Sequence, residues 1–333
     1  MIRVRPTRLL SLGSMLVDIR IDVPNLPPRG GDVIGSSASA SAAGGFNILA
    51  AASRNGMSCV FAGRHGTGPY GSRIREALAQ EGIVALEAAS QEGDSGFCLV
   101  MVEPDGERTF VTSPGVEARL GERDLAHLAL LPSDAVFVSG YDLSYPELGP
   151  EIAVLASQRD VFLVVDPGPM VGEIPKGVLD RILPRTCILT LNRREAAMLA
   201  GVTQTERQGQ AILPRLRPDA LLVLRDGAEG CFLFGEALSE RSVHVPAPAV
   251  RALDTTGAGD AHTGVLIAAL ASGLDPVSAA ERANAAAAIS VTRPGSATAP
   301  SREELDAFLM HPWRDALPAV RVPATINNRE GKP

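Results

Sequence analysis

The chain has 333 residues, of which 45% are hydrophobic and 21% charged, and its formal net charge is −7. These values are typical of a globular protein with a large core and argue against a disordered or fibrous chain. The acidic balance, without a basic cluster, argues against a nucleic-acid-binding protein and favours small molecules as partners.

The chain shows no signal-peptide core near its start, and no run approaches the roughly 18 apolar residues of a membrane span. Its four cysteines lie far apart, three of them in apolar runs, and no Cys-x-x-Cys or His-Glu-x-x-His spacing supports a zinc site. We therefore expect a cytoplasmic protein with reduced cysteines and no membrane partner.

The first third of the chain predicts a strand over residues 8–16 and then two exposed β segments. One is the Pro- and Gly-rich stretch 22–43, and the other is a hairpin of strands 96–102 and 107–112 around a Pro-Asp-Gly turn. Neither stretch is apolar enough to be covered on both faces. We expect segments of about 18–43 and 94–113 to form a small β lid.

From about residue 120 the pattern predicts an α/β fold. Apolar runs at 135–138, 161–165, 187–191 and 220–224 alternate with segments of helical period, which indicates a mostly parallel sheet covered on both faces. Helices are predicted at 257–272, 276–291 and 302–310. We expect one domain over residues 1–311, followed by a loosely ordered tail over 312–333.

The segment 254–260, Asp-Thr-Thr-Gly-Ala-Gly-Asp, carries the main chemical signal. It precedes an apolar helix, so the amides of Gly257, Ala258 and Gly259 should lie unpaired at the positive end of that helix, where an anion binds. Asp260, one turn inside, could take or orient the proton of an attacking hydroxyl. An ordinary capped helix start is the alternative. The pattern favours phosphoryl transfer to an alcohol.

This segment resembles the signature of the ribokinase-like (PfkB) family of sugar and nucleoside kinases, and the similarity extends over about residues 9–309. The resemblance implies ATP-dependent phosphorylation of a hydroxyl, expected to be a hydroxymethyl group, on a sugar. It implies ATP and Mg²⁺ as cofactors, with K⁺ as a further candidate, and a homodimer through the lid as a candidate assembly.

Two further segments resemble the family's substrate elements. Gly44, Gly45 and Asn47 match a Gly-Gly-x-x-Asn element with shortened spacing, although Asn47 could instead be only a helix cap. Asp18 matches an aspartate that binds substrate hydroxyls, with Leu16 where ribokinases have asparagine. A solvated aspartate at a strand end is the alternative.

The nucleotide side is implied by the same resemblance. Asn192 and Glu195 match an element that holds the water shell of Mg²⁺, and they also read as a capping box. Arg225, Gly227 and Gly230 match a turn beneath the nucleotide, with a tight hairpin as the alternative, and Asn284 matches a position at the adenine. The resemblance also implies a monovalent-cation site, formed by Asp254 and Thr256 together with the backbone carbonyls of a loop that contains Ser290, Arg293, Gly295 and Ala299.

Three other functions compete with that of a sugar kinase. A nucleoside or pseudouridine kinase needs a surface that stacks a base, for which Phe46, Phe97, Phe110 and Tyr141 are the candidates. The intact Asp260 argues against a non-catalytic sugar sensor. Residues 66–71 match the dinucleotide fingerprint Gly-x-Gly-x-x-Gly of a dehydrogenase, but the match lies outside the first βα turn and contains a proline.

Overall fold

Two sheets organise the computed structural model, which describes residues 5–236, 238 and 242–310. The larger sheet has the strand order β13-β12-β11-β10-β9-β8-β1-β4-β5 and is parallel except at β12 and β13. Its strands are β1 (Arg8–Ser11), β4 (Ser58–Phe61), β5 (Val84–Ala85), β8 (Asp134–Ser139), β9 (Phe162–Asp166), β10 (Thr186–Asn192), β11 (Leu221–Arg225), β12 (Cys231–Phe234) and β13 (Ser242–Val245). The predicted α/β class with a mostly parallel sheet is confirmed.

The smaller sheet has four strands in the order β3-β2-β6-β7. They are β2 (Met15–Asp22), β3 (Ser37–Gly44), β6 (Phe97–Val102) and β7 (Arg108–Ser113). β2 pairs antiparallel with β3 and parallel with β6, and the β6–β7 pair is the predicted hairpin. This sheet therefore combines the two segments of the chain that the sequence assigned to one β unit.

Helices cover both faces of the larger sheet. They are α1 (Gly45–Arg54), α2 (Pro69–Gln80), α3 (Glu122–Ala126), α4 (Gly140–Ser144), α5 (Leu148–Gln158), α6 (Lys176–Ile182), α7 (Arg193–Ala200), α8 (Thr205–Ile212), α9 (Ala258–Ala271), α10 (Pro276–Ser290) and α11 (Arg302–Met310). The last three lie within a residue or two of the predicted helices.

The core is divided by the sheet into two layers, because successive side chains of a strand point to opposite faces. Leu9 belongs to a cluster with residues of α1, α2, α9 and α10, whereas Leu10 belongs to a cluster with residues of α3 to α8. The strands are therefore buried on both sides, as their continuous apolar runs predict.

The predicted strand 8–16 is wrong in its extent. The chain leaves the larger sheet after Ser11 and enters the smaller sheet at Met15. A Cβ on Gly13 would lie 1.9 Å from the carboxylate of Asp142, and that carboxylate accepts the Ser14 N–H at 2.8 Å. A buried acid that the local pattern does not reveal thus breaks the strand in two.

No helix within the described residues is long and apolar enough to cross a membrane. The predicted tail, residues 312–333, lies outside the described residues.

Candidate active site

The start of α9 forms the centre of the site. Gly257 is the N-cap, with φ 73°, and Ala258 begins the helix. Among the described residues, the amides of Gly257, Gly259 and Asp260 have no hydrogen-bond partner, whereas the Ala258 amide donates to the Thr255 carbonyl at 3.3 Å. The expected group of free amides is thus present, with Asp260 as a member that the sequence did not indicate and Ala258 already engaged.

Two glycines are required here by close contacts. A Cβ on Gly257 would lie 1.8 Å from the carbonyl oxygen of Ser296, and a Cβ on Gly259 would lie 2.2 Å from a guanidinium nitrogen of Arg225. A side chain at either position would displace its neighbour. The second contact places the guanidinium of Arg225 beside Gly259, whose amide is free.

Asp260 points from the first turn of α9 toward α1. Its Oδ2 accepts a hydrogen bond from Nδ2 of Asn47 at 2.8 Å. Desolvation raises the pKa of Asp260 to about 6, with smaller upward contributions from Asp166 and Asp18 that the Asn47 hydrogen bond opposes. The site therefore holds a carboxylate that titrates close to neutral pH.

Asn47 does not cap α1, so that alternative is wrong. Gly44 is the N-cap, with φ 70°, and Asn47 is the third residue of the helix. A Cβ on Gly44 would lie 2.7 Å from the Ser14 carbonyl oxygen, and one on Gly45 would lie 2.6 Å from Oγ of Ser11. The two glycines let α1 begin against the β1–β2 turn, which places Asn47 beside Asp260.

Asp18 lies in the middle of β2, not at the end of the first strand as the sequence predicted. It pairs with Cys98 of β6, so both side chains share the face that carries Leu16 and Val100. Desolvation raises the pKa of Asp18 to about 6. This face of the smaller sheet is thus an apolar wall with a carboxylate close enough to affect Asp260.

A charged cluster joins the carboxyl ends of three neighbouring strands. Nη2 of Arg225, the last residue of β11, lies 3.0 Å from Oδ2 of Asp166 and 3.6 Å from Oε2 of Glu195. Burial raises the pKa of Asp166 and of Glu195, and the two carboxylates repel each other. This cluster lies at the edge of the sheet where ligands bind in open α/β folds.

The capping box predicted at Asn192 and Glu195 is present. Oδ1 of Asn192 accepts the Glu195 N–H at 2.9 Å, and Oε2 of Glu195 accepts the Asn192 N–H at 2.8 Å. The box starts α7 and fixes the Glu195 carboxylate beside Arg225.

A model of pfkB family carbohydrate kinases matches residues 6–303. The chain belongs to this family. It is 35% identical over 305 residues to the uncharacterized sugar kinase YegV of Escherichia coli, covering 89% of this chain and 92% of that protein. The prediction of an ATP-dependent sugar kinase is confirmed.

Two solved structures share the fold. Arabidopsis thaliana ribokinase complexed with ribose and ATP has a TM-score of 0.74 and 23% identity, covering 92% of this chain and 99% of that one. A putative ribokinase II from Escherichia coli in complex with ATP and Mg²⁺ has a TM-score of 0.76 and 20% identity, covering 91% and 99%.

In this pfkB family kinase the segment after β11 is a tight hairpin. Gly227 and Gly230 adopt φ 57° and 97°, and the Asp226 N–H donates to the Gly230 carbonyl at 2.7 Å. A Cβ on Gly230 would lie 2.1 Å from the Val245 carbonyl oxygen. The hairpin alternative therefore accounts for both glycines, while Arg225 alone turns toward α9.

Asn284 of α10 is buried, and its Nδ2 donates to the Val245 carbonyl at 2.9 Å and the Pro246 carbonyl at 3.3 Å. The side chain thus fixes the segment that follows β13. Its amide donors are already engaged in this contact.

The residues matched to the family's monovalent-cation site gather around Asp254. Its Oδ1 accepts from the Thr256 hydroxyl at 2.6 Å and the Thr256 amide at 2.9 Å, and its Oδ2 accepts from the Gly295 amide at 3.1 Å. Arg20 and Arg108 of the smaller sheet also reach this carboxylate, at 2.7 and 3.3 Å. Burial alone would raise its pKa, but these hydrogen bonds and the charge of Arg108 lower it to about 2.

The rest of that set makes contacts within the fold. Oγ of Ser290 lies 2.7 Å from Oγ1 of Thr298, and Arg293 pairs with Glu304 at 3.1 Å. The Ala299 carbonyl accepts from Arg54 at 2.8 Å. The Asp254 carboxylate of this set does not fit a bound monovalent cation in this conformation, because two guanidinium groups already pair with it.

The fingerprint at 66–71 is not a phosphate loop. The carboxylate of Asp94 accepts the amides of Tyr70 and Gly71, at 2.9 and 2.8 Å, at the start of α2. The N–H groups that would bind a pyrophosphate are therefore engaged, which removes the basis for the dehydrogenase alternative.

Sequence reasoning missed three residues of the site, Asp166, Arg20 and Arg108. Asp166 ends the apolar run 161–165, and the rule that ligands lie at the carboxyl ends of parallel strands could have indicated it. The two arginines had no such signal. Their role comes from the approach of the smaller sheet to the segment before α9.

Proposed function

We propose that the chain transfers the γ-phosphoryl group of ATP to a hydroxyl, expected to be a hydroxymethyl group, of a sugar or sugar-like substrate. The observation that carries the proposal is the Asp260 carboxylate, whose pKa is raised to about 6, in the same helical turn as the unpaired amides of Gly257 and Gly259. A general base and an anion site within one turn suit attack by an alcohol on a phosphoryl group.

Each part of the site has one role in the proposed transfer. The substrate oxygen forms a bond to the γ phosphorus, the bond from that phosphorus to the bridging oxygen breaks, and ADP leaves. Asp260 accepts the hydroxyl proton, and Asn47 holds the carboxylate in place. The amides near Gly257 and the guanidinium of Arg225 oppose the negative charge of the phosphoryl oxygens. Positioning and charge stabilisation supply most of the rate in such a transfer.

Mg²⁺, when bound, would neutralise phosphate charge. The buried carboxylates of Asp166 and Glu195 share a single guanidinium, and burial and then the charge of Asp166 raise the pKa of Glu195, so a dication held through water would suit them. Asn192 fixes the Glu195 carboxylate in this role. We place Arg225, Gly227 and Gly230 at the phosphates and Asn284 near the adenine, supported by the family's pattern.

We place the substrate between α1, the start of α9 and the Asp18 face of the smaller sheet. Asp18 and Asn47 would bind sugar hydroxyls, with Gly44 and Gly45 beneath the ring. Tyr141 of α4 also reaches this space: burial raises the pKa of its phenol, with smaller contributions from Cys98, Asp18 and Asp260. The apolar side chains of Cys98 and Val100 would contact the substrate's carbon skeleton.

We also propose that the smaller sheet acts as a lid within a kinase domain that covers residues 1–311. Closure would exclude water, which competes with the sugar as acceptor. The opposite face of this sheet carries Ile21, Leu99, Met101 and the half-exposed Val111, and a second copy of the chain would cover it in a homodimer.

A nucleoside kinase is the second candidate, and the aromatic residues argue against it. Phe46 is buried in the core, and Phe97 packs on Tyr70 with ring centroids 5.3 Å apart, on the far face of the sheet. Phe110, on the Asp18 face, and Tyr141, beside the proposed substrate space, are the candidates that remain to stack a base. Among the described residues neither contacts a second aromatic ring, which limits the stacking surface.

The direct test is ADP release from ATP in the presence of pentoses, hexoses, keto-deoxy sugar acids, nucleosides and pseudouridine. We expect ADP release with at least one sugar and little with nucleosides. Calorimetric sugar binding without ADP release over hours would instead support the non-catalytic sensor.

The pH dependence of kcat/KM should report Asp260. We expect kcat/KM to fall about tenfold per pH unit below a limb near pH 6, since protonation removes the base. The charge of Asp18 makes a small contribution to the raised pKa of Asp260. In Asp18→Asn, loss of a neighbouring negative charge should move the limb to lower pH. A wild-type limb near pH 4, or no movement in the variant, would contradict the assignment.

A further inference from the structure

The carboxylate of Asp254 connects the smaller sheet to the segment that carries the free amides. Nη1 of Arg20, in β2, lies 2.7 Å from Oδ2 of Asp254, and Nη2 of Arg108, in β7, lies 3.3 Å from Oδ1. Arg108 also donates to Oγ1 of Thr255 at 2.9 Å. Two strands of one sheet therefore contact two consecutive residues of the loop that leads to Gly257.

The charges in this contact are balanced. Nε of Arg20 lies 2.9 Å from Oδ1 of Asp22, so two guanidinium groups face the carboxylates of Asp22 and Asp254. Asp254 is 7% exposed, and the side chains of Arg20 and Arg108 are 32% and 21% exposed. Charge-assisted hydrogen bonds at this depth are only partly screened by water.

A monovalent cation bound to Asp254 would place a third positive charge next to the two guanidinium groups. Coulomb repulsion between like charges at contact distances disfavours that arrangement. The carboxylate oxygens also accept from Thr256 and Gly295, which leaves them no open direction toward an ion.

We propose that Arg20 and Arg108 are positioning residues that take the place of a monovalent cation at Asp254, so that the kinase needs no K⁺. The position of the loop that carries the amides of Gly257 and Gly259 then depends on the ion pairs between the smaller sheet and Asp254. Arg20 and Asp18 lie on the same face of β2. The movement of the smaller sheet that brings this face into contact with a substrate would therefore also order the amides. The inference rests on the proposed kinase function.

The test compares K⁺ with N-methylglucamine at equal ionic strength, about 0.1 M, where exposed charges are similarly screened. Wild-type kcat should agree within about twofold in the two salts. Arg20→Met with Arg108→Met should lower kcat at least about tenfold in N-methylglucamine, and K⁺ or added guanidinium should restore part of it. Arg73→Met is the matched control, because Arg73 contacts the Ala40 carbonyl of the same sheet but not Asp254.

A second readout does not depend on turnover. The melting temperature of the wild type should be equal in the two salts, and the double variant should gain a rise specific to K⁺. Arg108→Lys, which keeps the charge, should stay independent of K⁺. A wild type that K⁺ activates or stabilises overturns the inference. If ADP is released with none of the acceptors, the proposed function is wrong. The comparison of melting temperatures would still decide the role of the two arginines.

Discussion

Asp260→Asn is expected to lower kcat by about 10²–10⁴-fold while ATP still binds, because the amide keeps the size of the carboxylate but cannot accept the hydroxyl proton. The expected fall is measured by steady-state ADP release, and retained nucleotide affinity by calorimetry. Full activity in this variant would remove Asp260 from the mechanism.

The same substitution should stabilise the protein without ligand. The pKa of Asp260 is raised to about 6 in the folded state, so above that pH the fold carries a disfavoured charge that Asn lacks. The gain in stability of Asp260→Asn over the wild type should be complete above about pH 6. It should disappear below the ordinary aspartate pKa of about 4. We expect roughly 1–2 kcal/mol at neutral pH, seen as a melting temperature a few degrees higher.

The matched control is Asp275→Asn, which makes the same change at the exposed N-cap of α10. Its activity should equal that of the wild type. A lower melting temperature in Asp260→Asn would mean that lost activity reflects a damaged fold.

Gly257→Ala is expected to lower kcat by about 10²–10³-fold, comparable to the loss of an oxyanion-hole donor. The added Cβ would lie 1.8 Å from the Ser296 carbonyl oxygen, so the loop or its neighbour must move and the free amides lose their direction. The residue also has φ 73°, which adds a backbone cost of about 1–2 kcal/mol.

Gly82→Ala separates the two effects. Gly82 has φ 65° and no atom within 4 Å of an added Cβ, so it suffers the backbone strain without the contact. We expect a smaller loss of melting temperature than in Gly257→Ala, from the backbone strain alone, and an unchanged kcat. Equal losses of kcat in both variants would attribute the effect to stability alone.

The parallel sheet and the late helices could be predicted because their signals are local. Apolar runs such as 187–191 form strands that are buried on both faces. Each of the helices α9 to α11 begins at, or within two residues after, a Gly or a Pro. The segment 254–260 likewise forms a helix start whose amides are local to the turn. The free amides of Gly257 and Gly259 follow from the position of a helix start, whereas the engaged amide of Ala258 and the free amide of Asp260 were not predicted.

The rest depended on contacts between distant residues. The break between β1 and β2 follows from Asp142, more than a hundred residues away, and the hydrogen bond from Asn47 to Asp260 joins α1 to α9. No periodicity or spacing encodes such pairs. The same holds for Arg20 and Arg108, whose partner Asp254 was predicted to bind an ion instead.

The short β1–β2 connection bears on how relatives of this protein could acquire new sugars. The smaller sheet consists of two separate stretches of chain. The first stretch begins at Gly13, which lies against the Asp142 carboxylate, and ends at Gly44, which lies against the Ser14 carbonyl. Recombination could therefore not exchange the smaller sheet as one continuous segment. On the substrate placement proposed above, changes of substrate range would come from single replacements on the face that carries Asp18, Cys98 and Val100.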